Sequence, residues 1–123
     1  MQASKKKDNL LIQLSFELAI SVVEFCAVLD EKRKWSLADQ VLRAGLSIGA
    51  NSREAQNAES RADFIHKLKI AAKEADELEF YLEVCTVSKY LPTPEGILEQ
   101  VELVSKVLNK IITSSRLNKK SAN

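Results

Sequence analysis

Apolar residues recur at threes and fours in four separate stretches of the chain, the spacing of four helices that each bury one face. In the first, Leu11, Leu18, Val22, Phe25 and Leu29 form a stripe between about Asn9 and Leu29, and Asp8 stands where a cap would be. The charged run Asp30 to Lys34 ends that pattern. Ser36, with Asp39 three residues on, has the form of an N-cap and its acidic partner. It predicts a second helix to about Gln56 with Leu37, Val41, Ala44 and Ile48 inward. Ser60 and Asp63 repeat the signal and open the longest helix, to about Lys89, with Phe64, Leu68, Ala71, Ala75, Leu78, Leu82 and Cys85 on its inner face. A proline at the first position of a helix sacrifices no hydrogen bond. Thr93 and Pro94 therefore predict the start of a fourth helix, which runs to about Ser115 on Ile97, Val101, Val104, Leu108 and Ile111.

Short connections oblige sequential helices to lie antiparallel. The expected fold is all-α: an up-down antiparallel four-helix bundle over residues 9–116, with basic, disordered tails at 1–8 and 117–123. With 123 residues, three glycines, two prolines and 46% apolar residues, the chain suits one domain of long helices. No run approaches the roughly 20 apolar residues of a membrane span, so no membrane association is expected. Cys26 and Cys85 belong to no paired motif and fall among apolar residues. They are expected as buried free thiols in a reduced, cytoplasmic setting. Leu10, Leu14, Leu98, Leu103, Val107 and Ile112 widen the apolar faces of the first and last helices, through either self-association or deeper burial.

Charge changes the picture more than composition does. The net charge is only +1. Folded up and down, however, the chain gathers residues 1–19, 46–74 and 105–123 at one end, with thirteen Lys and Arg against six Asp and Glu. The opposite end holds five against eleven. After Glu102 there is no acid, only Lys106, Lys110, Arg116, Lys119 and Lys120, and the N-terminus adds Lys5, Lys6 and Lys7. These eight are the candidate nucleic-acid contacts, by attraction to phosphate rather than by base stacking, because no aromatic residues sit among them. Solubilising tails are the competing reading.

The second helix carries Arg43, Ser47, Asn51 and Glu54 on one polar line, and Gly45 and Gly49 four apart on another. Glycine costs about 1 kcal/mol against alanine inside a helix, so close approach by a neighbouring helix is the expected compensation. Lys67, Glu74, Glu77 and Tyr81 form a matching line on the third helix. The two lines suggest a hydrogen-bonded seam of Arg43, Ser47 and Asn51 against Glu74 and Glu77, serving helix register, a ligand site or a subunit interface. His66 is the only histidine. That excludes a di-iron carboxylate bundle and a nucleophilic triad, so no catalytic residue, metal or cofactor is expected.

Three stretches, Ser15-Phe16-Glu17-Leu18-Ala19, Leu42 to Ala55 and Asp63 to Ala75, resemble the four-helix bundle family of 23S ribosomal RNA intervening-sequence proteins. The resemblance covers about residues 10 to 90 and is carried most specifically by Arg43-x-Gly45-x-Ser47-Ile48-Gly49-Ala50-Asn51-x-x-Glu54-Ala55. It implies a bacterial protein that forms ring-like homopentamers and is similar to the accessory proteins of diversity-generating retroelements, which associate with a reverse transcriptase and nucleic acid. The motif residues carried over are Arg43, Gly45, Ser47, Gly49, Asn51, Glu54, Lys67, Glu74 and Glu77, none with a settled catalytic role. The expected function is that of a non-catalytic, oligomeric accessory protein partnered by RNA or a nucleic-acid enzyme, with a protein-only scaffold as the alternative.

Overall fold

The computed structural model describes the backbone of residues 2–121 and the side chains of residues 8–117. Four helices make up the fold: α1 (Gln2–Glu31), α2 (Trp35–Ala55), α3 (Arg61–Val87) and α4 (Ile97–Ser121). Each helix packs on two others, α1 on α2, α2 on α3, α3 on α4 and α4 back on α1, and among the described residues no two backbones meet across a diagonal. Cross-helix contacts run in opposite senses along every sequential pair: Gly45 lies on Val22 and Gly49 on Ser15. Arg43 pairs with Glu74 and Lys67 with Glu54. Arg61 reaches the carbonyl of Ser115. The fold is therefore the up-down antiparallel bundle.

The predicted stripes meet in one core. Leu11, Leu18, Val22, Leu29, Val41, Ile48, Leu68, Leu78, Leu82, Val101, Val104 and Leu108 are all essentially sealed from water. Leu37 and Phe64 only flank this core. The widened faces divide: Val107 and Ile112 are core residues, Leu14 and Leu98 pack partly against it, and Leu10 and Leu103 stay exposed.

The helix ends correct several expectations. α1 begins at Gln2 rather than Asn9, and α4 continues to Ser121. Asp8 lies inside α1 and caps nothing; its Oδ1 is buried with no hydrogen-bond partner among the described residues, and burial raises its pKa. Nor does Ser36 cap α2. Arg33 takes a left-handed conformation (φ 61°), while the amides of Arg33 and Lys34 bond back to the carbonyls of Asp30 and Leu29. This double bond closes α1 and delivers the chain into α2 at Trp35, ahead of Ser36, with Lys34 at the uncapped N-cap position. Ser60 does cap α3: its Oγ accepts the Asp63 amide at 3.0 Å, and Asp63 accepts the Glu59 amide. Thr93 and Pro94 precede α4 rather than start it. The Ile97 amide bonds to the Pro94 carbonyl across a turn whose third residue, Gly96, has φ 80°, a backbone conformation suited to glycine.

Gly45 and Gly49 both face α1, with different tolerances. A Cβ at position 45 would lie 2.6 Å from Val22 Cγ1 and 3.0 Å from its Cβ. Val22 is fully buried, and its β-branched side chain has one strongly preferred rotamer in a helix. At position 49 a Cβ meets Ser15 O at 3.6 Å, an ordinary contact. Gly45→Ala is therefore expected to destabilise by about 1–3 kcal/mol despite its better helix propensity, with Val22→Ala restoring part of the loss. Gly49→Ala is expected to stabilise by up to about 1 kcal/mol. Thermal melting of the three variants and of the double variant checks both signs; equal effects at the two glycines would contradict the packing described.

Candidate functional site: a polar seam, a basic end and an apolar groove

The seam between α2 and α3 is a ladder of polar groups on one side of the bundle. Arg43 sits at its centre, half exposed. Its Nη1 donates to Glu74 Oε2 at 3.1 Å and its Nη2 to Glu77 Oε1. The Tyr81 hydroxyl donates to the same Glu77 oxygen at 2.7 Å. One guanidinium thus spans two carboxylates a helical turn apart, each taken by a different arm of its rigid planar fork. The Tyr81 hydroxyl and then the Arg43 charge hold Glu77 below the usual carboxylate range, and Glu77 in turn raises the Tyr81 phenol. Glu74 and Glu77 favour the protonated form of Arg43.

Asn51 departs from the expected arrangement. Its Nδ2 donates to Ser47 O at 2.9 Å and to Ser47 Oγ at 3.0 Å, one turn back on its own helix. It reaches neither Glu74 nor Glu77. Glu54 and Lys67 face each other at 3.9 Å near the far end of the ladder. Arg43, Glu74 and Glu77 are thus brought together; Ser47 with Asn51, and Glu54 with Lys67, are separate rungs; Gly45 and Gly49 lie on the α1 side. Arg43, Glu74, Glu77 and Tyr81 bond chiefly to one another, an arrangement that joins the two helices.

Other chemistry is equally restrained. Cys26 and Cys85 are free and buried. Burial, with the nearby charges of Asp30 and Asp39, pushes the Cys26 thiol up to about 11, and burial raises Cys85 as well. Such thiols remain protonated at neutral pH and are poor nucleophiles. Among the described residues no group of three or more His, Cys, Asp and Glu side chains is placed to hold a metal ion.

Of the candidate nucleic-acid contacts, Lys106, Lys110 and Arg116 are exposed on α4. Lys106 and Lys110 lie one turn apart on a single line, and Arg116 is turned away from that line. The side chains of Lys5, Lys6, Lys7, Lys119 and Lys120 lie outside the described residues. Sequence reasoning did not single out Arg61, Lys69 and Lys73, which are exposed on the half of α3 at the same end of the bundle.

It also missed a groove between α1 and α2. Phe16, Ile20 and Val23 recur at the same three-and-four spacing as the core residues but point outward, and all are about half exposed, as is Leu46 across the groove. With Ala19, Gly49 and Ala50 they line a largely apolar hollow of about 380 Å³. Arg53 closes one side, its guanidinium 5.7 Å above the Phe16 ring. This second stripe makes α1 apolar on two sides. One 18-residue window within Asp8–Glu31 reaches a mean hydropathy of 1.8, apolar enough by length and composition alone to cross a membrane, a test that the core helix of a bundle also passes; a third of that window is buried here.

A family of proteins described as 23S rRNA-intervening sequence protein matches residues 7–110. A crystal structure of a protein of unknown function from the S23 ribosomal protein family of Bacteroides thetaiotaomicron VPI-5482 is similar over 87% of this chain and 98% of its own, with 42% identity and a TM-score of 0.81. No curated protein matches the chain.

The Arg43 cluster yields a pH test. The folded pKa of Glu77 lies below its ordinary value of 4.5. Its contribution to stability is thus complete above that value and is lost as pH falls through the lower, folded one. The melting-temperature difference between wild type and Glu77→Gln should be largest at neutral pH and should shrink as pH falls below 4.5 and on through the lower, folded value. A difference that does not change with pH over the whole acid range would show that the Glu77 charge contributes nothing.

Proposed function

The chain belongs to the 23S rRNA-intervening sequence protein family, and on that premise we propose that it is a non-catalytic, oligomeric accessory protein of the cytoplasm that holds RNA by its phosphates. The observation that carries this reading is the segregation of charge along the bundle. Lys106, Lys110 and Arg116 stand exposed on an α4 that has no acid after Glu102, beside Arg61, Lys69 and Lys73 of α3. Cations gathered at one end of a rigid rod create a field that attracts a polyanion, and repetition of that end around an oligomer multiplies it. No aromatic residue interleaves the α4 cations, and Phe64, between Arg61 and Lys69, packs against the core, so affinity comes from phosphate neutralisation with weak preference for sequence.

The α1–α2 groove supplies the surface for assembly. An outward stripe of Phe16, Ile20 and Val23 opposite Leu46 is costly to leave in water, and covering it with a second copy removes that cost. A homo-oligomer is the proposed state, and a pentamer is the favoured number by family resemblance.

Two experiments test this reading. Light scattering at micromolar concentration should give several times the 13.7 kDa chain mass, and Phe16→Asp with Ile20→Asp should reduce it toward that mass while helicity is kept. A monomeric wild type would remove the assembly half of the proposal. Anisotropy titration of single-stranded RNA should show binding whose logarithm falls linearly with log salt, by roughly 0.7 per phosphate neutralised. Lys106→Gln, Lys110→Gln and Arg116→Gln together should flatten that slope by about two or three phosphates' worth, whereas Glu95→Gln with Glu99→Gln should not weaken binding. Should wild type bind no RNA at about 50 mM salt, a protein-only scaffold becomes the better reading.

A further inference from the structure

A second exposed apolar stripe lies on the outer face of α3, toward the acidic end of the bundle. Phe80, Val84 and Val87 recur at intervals of four and three, with 61%, 40% and 86% of their surface in water. Leu78, Leu82 and Cys85 meanwhile face the core from the other side of the helix. Position 87 precedes the helix C-cap, so the stripe runs to the end of α3. Exposed apolar residues aligned along one helix mark a surface that is covered in use more often than scattered ones do.

The charges around this stripe are mostly acidic. Asp76 and Glu83 are exposed on the same helix, and Glu79 and Glu102 lie beside them at the α3–α4 boundary. Burial, together with repulsion by Glu102, Glu83 and Asp76, pushes Glu79 above the usual carboxylate range. The nearby cations offset them only in part: Arg43 is engaged by Glu74 and Glu77, Lys73 lies one turn from Asp76 but two turns from Phe80, and the Lys89 ammonium sits over the Tyr90 ring.

We propose that the Phe80–Val84–Val87 face of α3 is a docking surface for a basic amphipathic helix of a partner protein. Such a helix would lay apolar residues of matching spacing onto the stripe and set its lysines or arginines against Asp76 and Glu83. Charge complementarity selects this occupant over the others. RNA and anionic lipid are repelled by the flanking carboxylates. A second copy docking through the same face would bring acid against acid. A second copy set parallel to this one and docking through its α1–α2 groove fails on height. The Val22–Gly45 and Arg43–Glu74 contacts bring residue 22 of α1 level with residues near 74 of α3. The α3 stripe then sits roughly 18 Å farther along the bundle than the groove, at 1.5 Å per residue. Rotation about an axis parallel to the bundle cannot superpose the two. This surface is independent of whether the opposite end holds RNA.

The test uses the full chain and a fluorescein-labelled peptide of 18 residues (roughly five helical turns), leucine at helical spacing on one face and lysine elsewhere. Two control peptides are a scramble of the same composition, whose leucines share no face, and a version with glutamate in place of lysine. Anisotropy should show binding of the first peptide and at least tenfold weaker binding of both controls. Phe80→Ser with Val84→Ser should weaken it at least tenfold, since both positions are exposed and dispensable to the core. Asp76→Lys with Glu83→Lys should do the same and should favour the glutamate peptide. Phe16→Asp with Ile20→Asp should leave binding within about twofold, because the groove is a separate surface. Equal binding of the scramble, or wild-type binding by both α3 variants, overturns the proposal. So does a drop in oligomer mass caused by Phe80→Ser with Val84→Ser, which would make a second copy the occupant.

Discussion

The bundle depends on how closely α1 can lie against α2, and that distance is set where Val22 occupies the space a side chain at position 45 would need. With glycine there, the two helices meet through a fully buried valine and bare backbone. The same contact opposes a slide of one turn that would bring Val41 to that valine, because a side chain there would meet its methyl groups. Register between α1 and α2 in turn places Arg43 on the opposite side of α2, level with Glu74 and Glu77, where one guanidinium spans two carboxylates on α3. Packing on one face of α2 and charge on the other therefore act as a pair of rulers. Neither holds much energy alone, since a half-exposed ion pair contributes on the order of 1 kcal/mol or less. Together they specify which turn of each helix meets which.

Once register is set, the distribution of charge follows from topology. In an up-down bundle the N-terminal parts of α1 and α3 share an end with the C-terminal parts of α2 and α4. A chain that is nearly neutral as a whole can then carry opposite charges at its two ends without any long acidic or basic run. The basic end suits phosphate, the apolar groove on α1 and α2 suits a second copy, and the acidic outer face of α3 suits a cationic helix. These three surfaces lie on different parts of the rod, so one chain could serve all of them at once.

Much of this was legible in the residues. Stripes such as Leu11–Leu18–Val22 and Leu68–Ala71–Ala75 lie in the core because a helix with one apolar face has only one way to shelter it. The Arg43 side of the seam was legible too, since Glu74 and Glu77 are the carboxylates at matching height. Asn51 was not, because a short amide finds the Ser47 carbonyl on its own helix more readily than a carboxylate on another. The cap at Ser36 misled because the double hydrogen bond that ends α1 at Arg33 and Lys34 already turns the chain into α2. The outward stripe of Phe16, Ile20 and Val23 escaped for a different reason. Periodicity reports that a face is apolar, but when α1 has two such faces, only the positions of its neighbours decide which one is core.

The central claim is that function is divided between the ends of the bundle, and RNA cross-linking maps that division most directly. The full-length protein would be bound to RNA carrying 4-thiouridine, irradiated, digested and read by mass spectrometry. The account predicts adducts on peptides containing Lys106, Lys110 and Arg116 and on the Arg61–Lys73 stretch of α3. Adducts concentrated instead on the 76–102 segment, where carboxylates dominate, would contradict it.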